Sequence, residues 1–358
     1  MSAKYKLEPD YAVAPGATLK ETIEARGISQ AELASRMGMS EKTISQIVNG
    51  VAPITYETAE RLELVLGIPA HFWNRRELTY RQAIARAEVA ARLNQDIAWL
   101  DKIPVRVLKD RGFIADVTEK SELVRLSLAF FGVSSVEAWQ ETWADPIAQY
   151  RGKAVQEKKP GFVAAWLRMG EVQAASIAAE PFNAGLFREA LQQLRGMTTE
   201  AARVWSKAMQ DLCAKAGVAV VFTKEIPGAG VSGATRWLTK DKALIQLSLK
   251  YKTDDQFWFT FFHEAGHILL HGKRQVFVEF GLTTKSIEEE EANRFARTQL
   301  IPDGIAHHLP ALRDRTKIRL FAKKCGVAPG IVVGRLQHDG IVYRSAFNDL
   351  KRKMTWTS

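Results

Sequence analysis

The amino-acid sequence predicts a mainly helical α+β protein built from more than one domain. The chain has 358 residues, enough for roughly two to three domains of ordinary size. Helical periodicity dominates residues 16–209, whereas β-branched runs separated by turn residues follow Gly217. We therefore expect an all-α N-terminal domain over 1–80, a helical connecting region over 81–209, an α+β domain over 210–310 and a basic helical tail over 311–358.

Composition excludes several classes of protein. Hydrophobic residues make up 46% and charged residues 25% of the chain, which is typical of a globular protein with a packed core. No apolar run is long enough to span a membrane or to form a signal peptide, so we expect a cytoplasmic protein without membrane contact. Cys213 and Cys325 are the two cysteines, and they offer neither a disulfide framework nor a CxxC pair.

The net charge of +10 is unevenly distributed. Residues 1–82 carry ten Lys/Arg and ten Asp/Glu, whereas residues 311–358 carry eleven Lys/Arg and three Asp, a surplus of +8. The basic tail is interpreted either as a solvated helix face or as a docking surface for DNA or an acidic partner.

Residues 29–50 have the pattern of two short helices joined by a tight turn. Ser29 with Glu32 forms a capping box, Gly38 supplies the turn, and Ser40 caps the second helix. That second helix presents short polar side chains, which suit the major groove of DNA: Glu41, Lys42, Thr43, Ser45 and Gln46.

This segment resembles the XRE-type, phage-repressor-like helix-turn-helix found in bacterial regulators and addiction-module antitoxins. The following Ile68-Pro69-Ala70-His71-Phe72-Trp73-Asn74-Arg75 is similar to the end of that domain in HigA-like antitoxins. The resemblance implies a DNA operator as partner, read by Glu41, Lys42 and Gln46, with Gln30 and Thr43 positioning the backbone. Because this segment is neutral, we expect it to act as a homodimer. A helix pair used only for dimerisation or protein contact is the alternative.

The connecting region contains helical segments with large apolar anchors at Trp139, Trp143, Trp166 and Trp205. Beyond it, three segments read as strands: Val218–Thr223, Gly233–Leu238 and Ala243–Leu249.

A helix predicted over Asp254–Leu270 follows the strands, opened by a capping box of Thr253 with Gln256 and closed by Gly272. It is apolar on every side, so it must be buried, and its polar residues need partners. His263 and His267 lie four residues apart and can converge on one metal ion, whereas Glu264 can address a water on that ion. The HExxH motif is expected by chance in a chain of this composition only about 0.01 times. Gly266 indicates that another element approaches the helix closely.

A third ligand must come from outside this helix, because a hydrolytic zinc site uses three protein ligands and keeps one position open. The next helix, Ile287–Leu300, begins with four consecutive glutamates, at least one of which can reach inward. Glu288, Glu289 and Glu291 lie nearest the edges of its apolar face.

The two helices together resemble the ImmA/IrrE metallopeptidases, a gluzincin-like family, over about residues 210–345. The resemblance makes Glu289, three residues before Ala292, the third metal ligand and Asn293 a partner of a ligand histidine. It implies Zn²⁺ as the cofactor, with Mn²⁺ as an alternative, and Glu264 as the catalytic base. Because the glutamates adjoin one another, Glu290 and Glu291 remain alternatives to Glu289.

Two further segments have open interpretations. His271 lies four residues after His267 and is interpreted as structural or solvent-facing, or else as supporting a ligand or the transition state. Ile318–Gln337 reads as two short helices that either pack on the peptidase-like domain or contact DNA.

The sequence as a whole predicts a DNA-binding regulator with a zinc-dependent endopeptidase domain that cleaves a repressor or antitoxin-type protein. The alternative is an antitoxin-like repressor in which the peptidase fold is a non-catalytic module that senses a metal or a partner such as a toxin.

Overall fold

The computed structural model describes residues 13–147, 159–272, 277–279 and 286–356, and it divides the chain into two compact units, Met1–Ile97 and Ala98–Ser358. Both units are rich in helices, and the second also contains a small sheet, so the predicted α+β class is confirmed. Within the described ranges, no helix combines the length and apolarity needed to cross a membrane.

The first unit is all-α. Its helices are α1 Pro15–Ala25, α2 Gln30–Met37, α3 Glu41–Val48, α4 Tyr56–Leu66 and α5 Ala70–Gln95. They enclose one apolar core that includes Leu19, Leu33, Ile44, Leu62 and Trp73, each fully buried.

The caps of the predicted helix pair are present in α2 and α3. The hydroxyl oxygens of Ser29 and Ser40 accept hydrogen bonds from the backbone N–H groups of Glu32 and Thr43, both at 3.1 Å. Gly38 ends α2 with a φ of 64°, a conformation that glycine adopts without a steric penalty.

Helix α5 continues well past the predicted domain boundary at residue 80. Nothing in Ala70–Gln95 breaks a helix, since the segment lacks proline and glycine. The finer division at residues 80, 209 and 310 stays a prediction.

The second unit begins with helices that enclose the predicted tryptophans. They are α6 Val105–Asp110, α7 Lys120–Phe131, α8 Val136–Trp139, α9 Pro160–Ala175, α10 Ala184–Gly196 and α11 Ala202–Lys215. Trp139, Trp143, Trp166 and Trp205 are all buried, as the sequence predicted.

Four strands from the described residues form one mixed sheet in the order β1-β3-β2-β4. They are β1 Val218–Phe222, β2 Gly233–Thr239, β3 Lys242–Leu247 and β4 Phe277–Glu279. β1 is parallel to β3, whereas β2 is antiparallel to both β3 and β4. The sequence predicted the first three strands within two residues at each end but not β4, which has only three residues.

Both faces of β1 and β3 are covered, which explains why their sequences are almost entirely apolar rather than alternating. Ala219 and Val221 pack with Ala174 of α9 on one face. Val218 and Val220 belong to the larger core on the other face. That larger core also contains the central apolar helix, α12 Asp254–Leu270.

Four further α-helices of the second unit contribute to the same apolar core as α12. They are α13 Ile287–Leu300, α14 Asp303–Ala306, α15 Arg315–Cys325 and α16 Pro329–His338. A Cβ added to Gly266 of α12 would lie only 3.2 Å from the Cα of Ala292 in α13, so the close approach predicted from this glycine is confirmed.

The start of α12 differs from the predicted capping box. Thr253 precedes the helix, but its side chain makes no capping hydrogen bond in the described part of the chain. Instead, Asp254 Oδ1 accepts from the backbone N–H groups of Asp255 and Arg352, each at 3.0 Å. The carbonyl oxygen of Arg352 accepts in turn from the backbone N–H of Asp254 at 3.0 Å. A segment 98 residues away thus satisfies a backbone N–H at the start of this helix, and spacing along the sequence does not reveal such a contact. The helix is followed by His271 rather than by Gly272.

The C-terminal helices pack on α12. Ile331, Val332 and Leu336 of α16 are buried in the same core as Phe257 and Phe261. The packing interpretation of this segment is therefore confirmed.

Candidate metal centre and nucleic-acid interface

Helix α12 places two imidazoles side by side in the interior of the second unit. His263 and His267 are 1% and 2% exposed, and their Nε2 atoms lie 3.0 Å apart. The spacing of four residues puts them on one helix face, as the sequence predicted. Phe259, one turn earlier, stacks on the ring of His263 with 6.2 Å between centroids.

Helix α13 brings one carboxylate to these nitrogens. Ser286 caps the helix by accepting from the backbone N–H of Glu289 at 3.2 Å, which places Glu289 in the first turn. Glu289 Oε2 lies 3.2 Å from His263 Nε2, and Oε1 lies 3.6 Å from His267 Nε2. Glu289 is 5% exposed, whereas Glu290 and Glu291 are exposed to solvent. The structure therefore brings Glu289, rather than Glu290 or Glu291, to the two histidines.

The spacing of these ligand atoms suits one cation. His263, His267 and Glu289 can each offer an atom, and these atoms all lie within 4.8 Å of one another. The contacts of 3.0–3.6 Å match the separation of about 3.3 Å between ligands of a tetrahedral ion with bonds of about 2.0–2.1 Å. Two imidazoles and a carboxylate are also ligands that zinc prefers.

The contacts behind the histidines leave both Nε2 atoms as acceptors. His263 Nδ1 donates to Asn293 Oδ1 at 3.1 Å, so the lone pair of the neutral ring is on Nε2. His267 Nδ1 lies 3.0 Å from His271 Nδ1, and His271 Nε2 donates to Glu291 Oε2 at 3.1 Å. His263 Nε2, His267 Nε2 and the Glu289 carboxylate then face one another as three acceptors, an arrangement that a bound cation stabilises.

The surroundings of His267 favour the neutral form of its imidazole. Burial first, and then the neighbouring His263 and His271, lower the pKa of His267 to about 2. The ring is therefore uncharged near pH 7, as metal binding requires.

Glu264 directly follows His263 in α12, and it is not one of the three residues whose ligand atoms converge. Its side chain is fully buried, and its backbone carbonyl accepts a hydrogen bond from Thr235 Oγ1 at 3.1 Å. A Cβ added to Gly233 on β2 would lie 2.6 Å from Glu264 Oε1, so the glycine provides the space that this carboxylate occupies. A buried carboxylate in a reactive site can act as a proton carrier.

The first unit presents the predicted DNA-reading residues on α2 and α3. Glu41 and Lys42 are exposed, and Gln30, Thr43 and Gln46 are half-buried. The opposite face of α3 is anchored in the core by Ile44 and Ile47. Thr43 Oγ1 lies 2.8 Å from the hydroxyl of Ser40, so this side chain also supports the cap.

Sequence reasoning missed two features of the centre. The role of Gly233 has no signal in the sequence, because the strand that carries it is 31 residues from Glu264. The contact of His271 with His267 does have a signal, the repeated spacing of four, but the interpretation of His271 stayed open.

The fold and the two sites define a class of protein, one that joins a helix-turn-helix unit to a helical domain with a buried His-His-Glu cluster. Comparison with known protein families agrees with this description of the two units. The family described as Helix-turn-helix matches residues 19–73, and the IrrE N-terminal-like domain family matches residues 213–337. This chain therefore carries a helix-turn-helix domain and an IrrE N-terminal-like domain, and the predicted combination is confirmed.

Among solved structures, the chain is similar to an addiction module antidote protein of the HigA family from Coxiella burnetii. The identity is 24%, the match covers 24% of this chain and 94% of that chain, and the TM-score is 0.22. No curated protein matches the chain.

Proposed function

We propose that the protein is a cytoplasmic DNA-binding regulator whose second unit hydrolyses a peptide bond in a repressor or antitoxin-type protein. The observation that carries this proposal is the convergence of His263, His267 and Glu289 in a buried site, with Glu264 beside it. The match to the IrrE N-terminal-like domain family supports a peptidase-like chemistry for this site.

His263, His267 and Glu289 would hold one zinc ion. When bound, zinc lowers the pKa of a water molecule and polarises the scissile carbonyl. Glu264 accepts a proton from the attacking water and later delivers it to the leaving amine. Asn293 orients the ring of His263 through the hydrogen bond to its Nδ1. The apolar surroundings of α12 keep bulk water away from these groups.

The first unit would direct this activity to a promoter. Glu41, Lys42 and Gln46 are placed to read base edges, while Gln30 and Thr43 contact the backbone. Because the segment is neutral, two copies in a homodimer are needed for useful affinity. Analytical ultracentrifugation of the purified protein measures whether it is a monomer or a homodimer.

The test compares wild type with Glu264→Gln, which keeps size and hydrogen bonding but removes the base. Each variant is induced in cells, and cleaved proteins are identified by mass spectrometry. Elemental analysis of the purified proteins gives the metal and its stoichiometry. We expect equal zinc in both proteins and cleavage by the wild type alone.

Glu290→Gln is the matched control, because it makes the same change at an exposed neighbour of the cluster. It should cleave like wild type. Cleavage by Glu264→Gln at the wild-type rate would defeat the proposed mechanism. A wild type that binds its promoter and zinc but cleaves nothing would identify the alternative, a repressor with a non-catalytic metal module.

A further inference from the structure

We propose that His271 and Glu291 are positioning residues that fix which nitrogen of His267 faces the metal. This inference rests on the proposed metal site. It assigns a role to two side chains that do not themselves belong to the ligand cluster.

The contact between His271 and Glu291 determines which nitrogen atoms donate and which accept. Glu291 is a carboxylate, so its Oε2 can only accept, and His271 Nε2 must carry the proton across the 3.1 Å contact. A neutral His271 then has its lone pair on Nδ1. The 3.0 Å contact between the Nδ1 atoms of His271 and His267 therefore requires the proton on His267. This leaves the lone pair of His267 on Nε2, the atom that faces Glu289.

The placement of these residues suits a support role. His271 follows the last residue of α12, one turn beyond His267, and its side chain is only 5% exposed. Glu291 is in α13, two residues after Glu289, and its side chain is 48% exposed. The Glu291 carboxylate therefore lies at the surface, while the buried His271 ring connects it to His267.

The two ligand histidines are thus held in different ways. Asn293 accepts directly from His263, whereas His267 is held by the His271–Glu291 pair. Without an acceptor at position 271, the neutral ring of His267 can place its N–H toward the cation site. Outer contacts of this kind change metal affinity by about 10- to 100-fold.

The experiment measures zinc affinity of the full chain by competition with a chromophoric chelator. His271→Phe removes the acceptor and keeps a ring of similar shape. His271→Asn places an amide oxygen close to the position of Nδ1 and should restore the acceptor. Glu291→Ala removes a carboxylate that is 48% exposed, and Glu290→Ala is the control with the same loss of charge.

We expect His271→Phe to weaken zinc binding by about 10- to 100-fold, with Glu291→Ala changed in the same direction. His271→Asn and Glu290→Ala should stay close to wild type. Proton–nitrogen spectra of zinc-loaded, histidine-labelled protein give a second readout. The N–H proton of His267 should exchange slowly in wild type and in His271→Asn, and fast in His271→Phe.

The outcomes separate this inference from the proposed function. Equal zinc affinity in wild type, His271→Phe and Glu291→Ala would overturn the positioning role while leaving the metal site intact. Equal weakening by Glu290→Ala and Glu291→Ala would also overturn it, because the effect would then be one of net charge. A wild type that binds no zinc would refute the proposed function itself. Circular dichroism and thermal melting of each metal-free variant establish that it is folded.

Discussion

Gly233→Ala should disable the proposed base without touching any metal ligand. The added Cβ would lie 2.6 Å from Glu264 Oε1 and 2.6 Å from Thr260 Cγ2. Ordinary van der Waals contact begins near 3.4 Å, so relief of the clash requires the Glu264 carboxylate to shift by up to about 0.8 Å. Thr260 is β-branched and buried in the same helix, so it cannot absorb the clash by changing its rotamer freely.

A displacement of about 1 Å in a reacting group can cost about 100-fold in rate, or about 2.7 kcal/mol in the activation barrier. We therefore expect kcat to fall by about 100-fold in Gly233→Ala. Overpacking of the buried site should also lower the free energy of unfolding by about 1–3 kcal/mol. Zinc content should stay at the wild-type value, because His263, His267 and Glu289 keep their contacts.

The assay is cleavage of the protein substrate identified with wild type, measured beside zinc content and a urea unfolding curve. Gly304→Ala is the control, since an added Cβ there meets nothing within 4 Å. A Gly233→Ala variant that is folded, holds zinc and cleaves at the wild-type rate would refute the assignment of Glu264 as the proton carrier.

Three further predictions concern other parts of the molecule. Glu289→Gln should weaken zinc binding by more than the roughly 10- to 100-fold expected for an outer contact, whereas Glu290→Gln should not, as chelator competition will show. Burial raises the pKa of Asp254 to about 6 from 3.8, so its contribution to stability should be present below about pH 4 and be lost as the pH rises through 6. Between pH 4.5 and 7.5, the free energy of unfolding measured in urea should therefore fall by about 2 kcal/mol more in wild type than in Asp254→Asn, and the same pH dependence in both proteins would contradict it. Gln46→Ala should cost about 1–3 kcal/mol in operator discrimination, measured by footprinting on the protein's own promoter, and unchanged sequence preference would count against base reading by α3.

The sequence alone predicted those features that depend on local spacing. Hydroxyl caps at Ser29 and Ser40 and the left-handed Gly38 define α2 and α3, because capping involves residues only a few positions apart. The pairing of His263 with His267 follows in the same way from the pitch of one helix. Gly266 likewise indicated a close neighbour, although not which helix it would be.

Only the tertiary structure decided which residues from different elements meet. Four adjacent glutamates are distributed around most of the helix circumference, so the sequence does not show which of them meets the two histidines. The choice of Glu289 depends on how α13 packs on α12 at Gly266 and Ala292, a contact of two helices rather than a local pattern. The space that Gly233 leaves for Glu264 and the backbone contact between Asp254 and Arg352 at the start of α12 likewise depend on long-range packing, which hydrophobic periodicity does not encode.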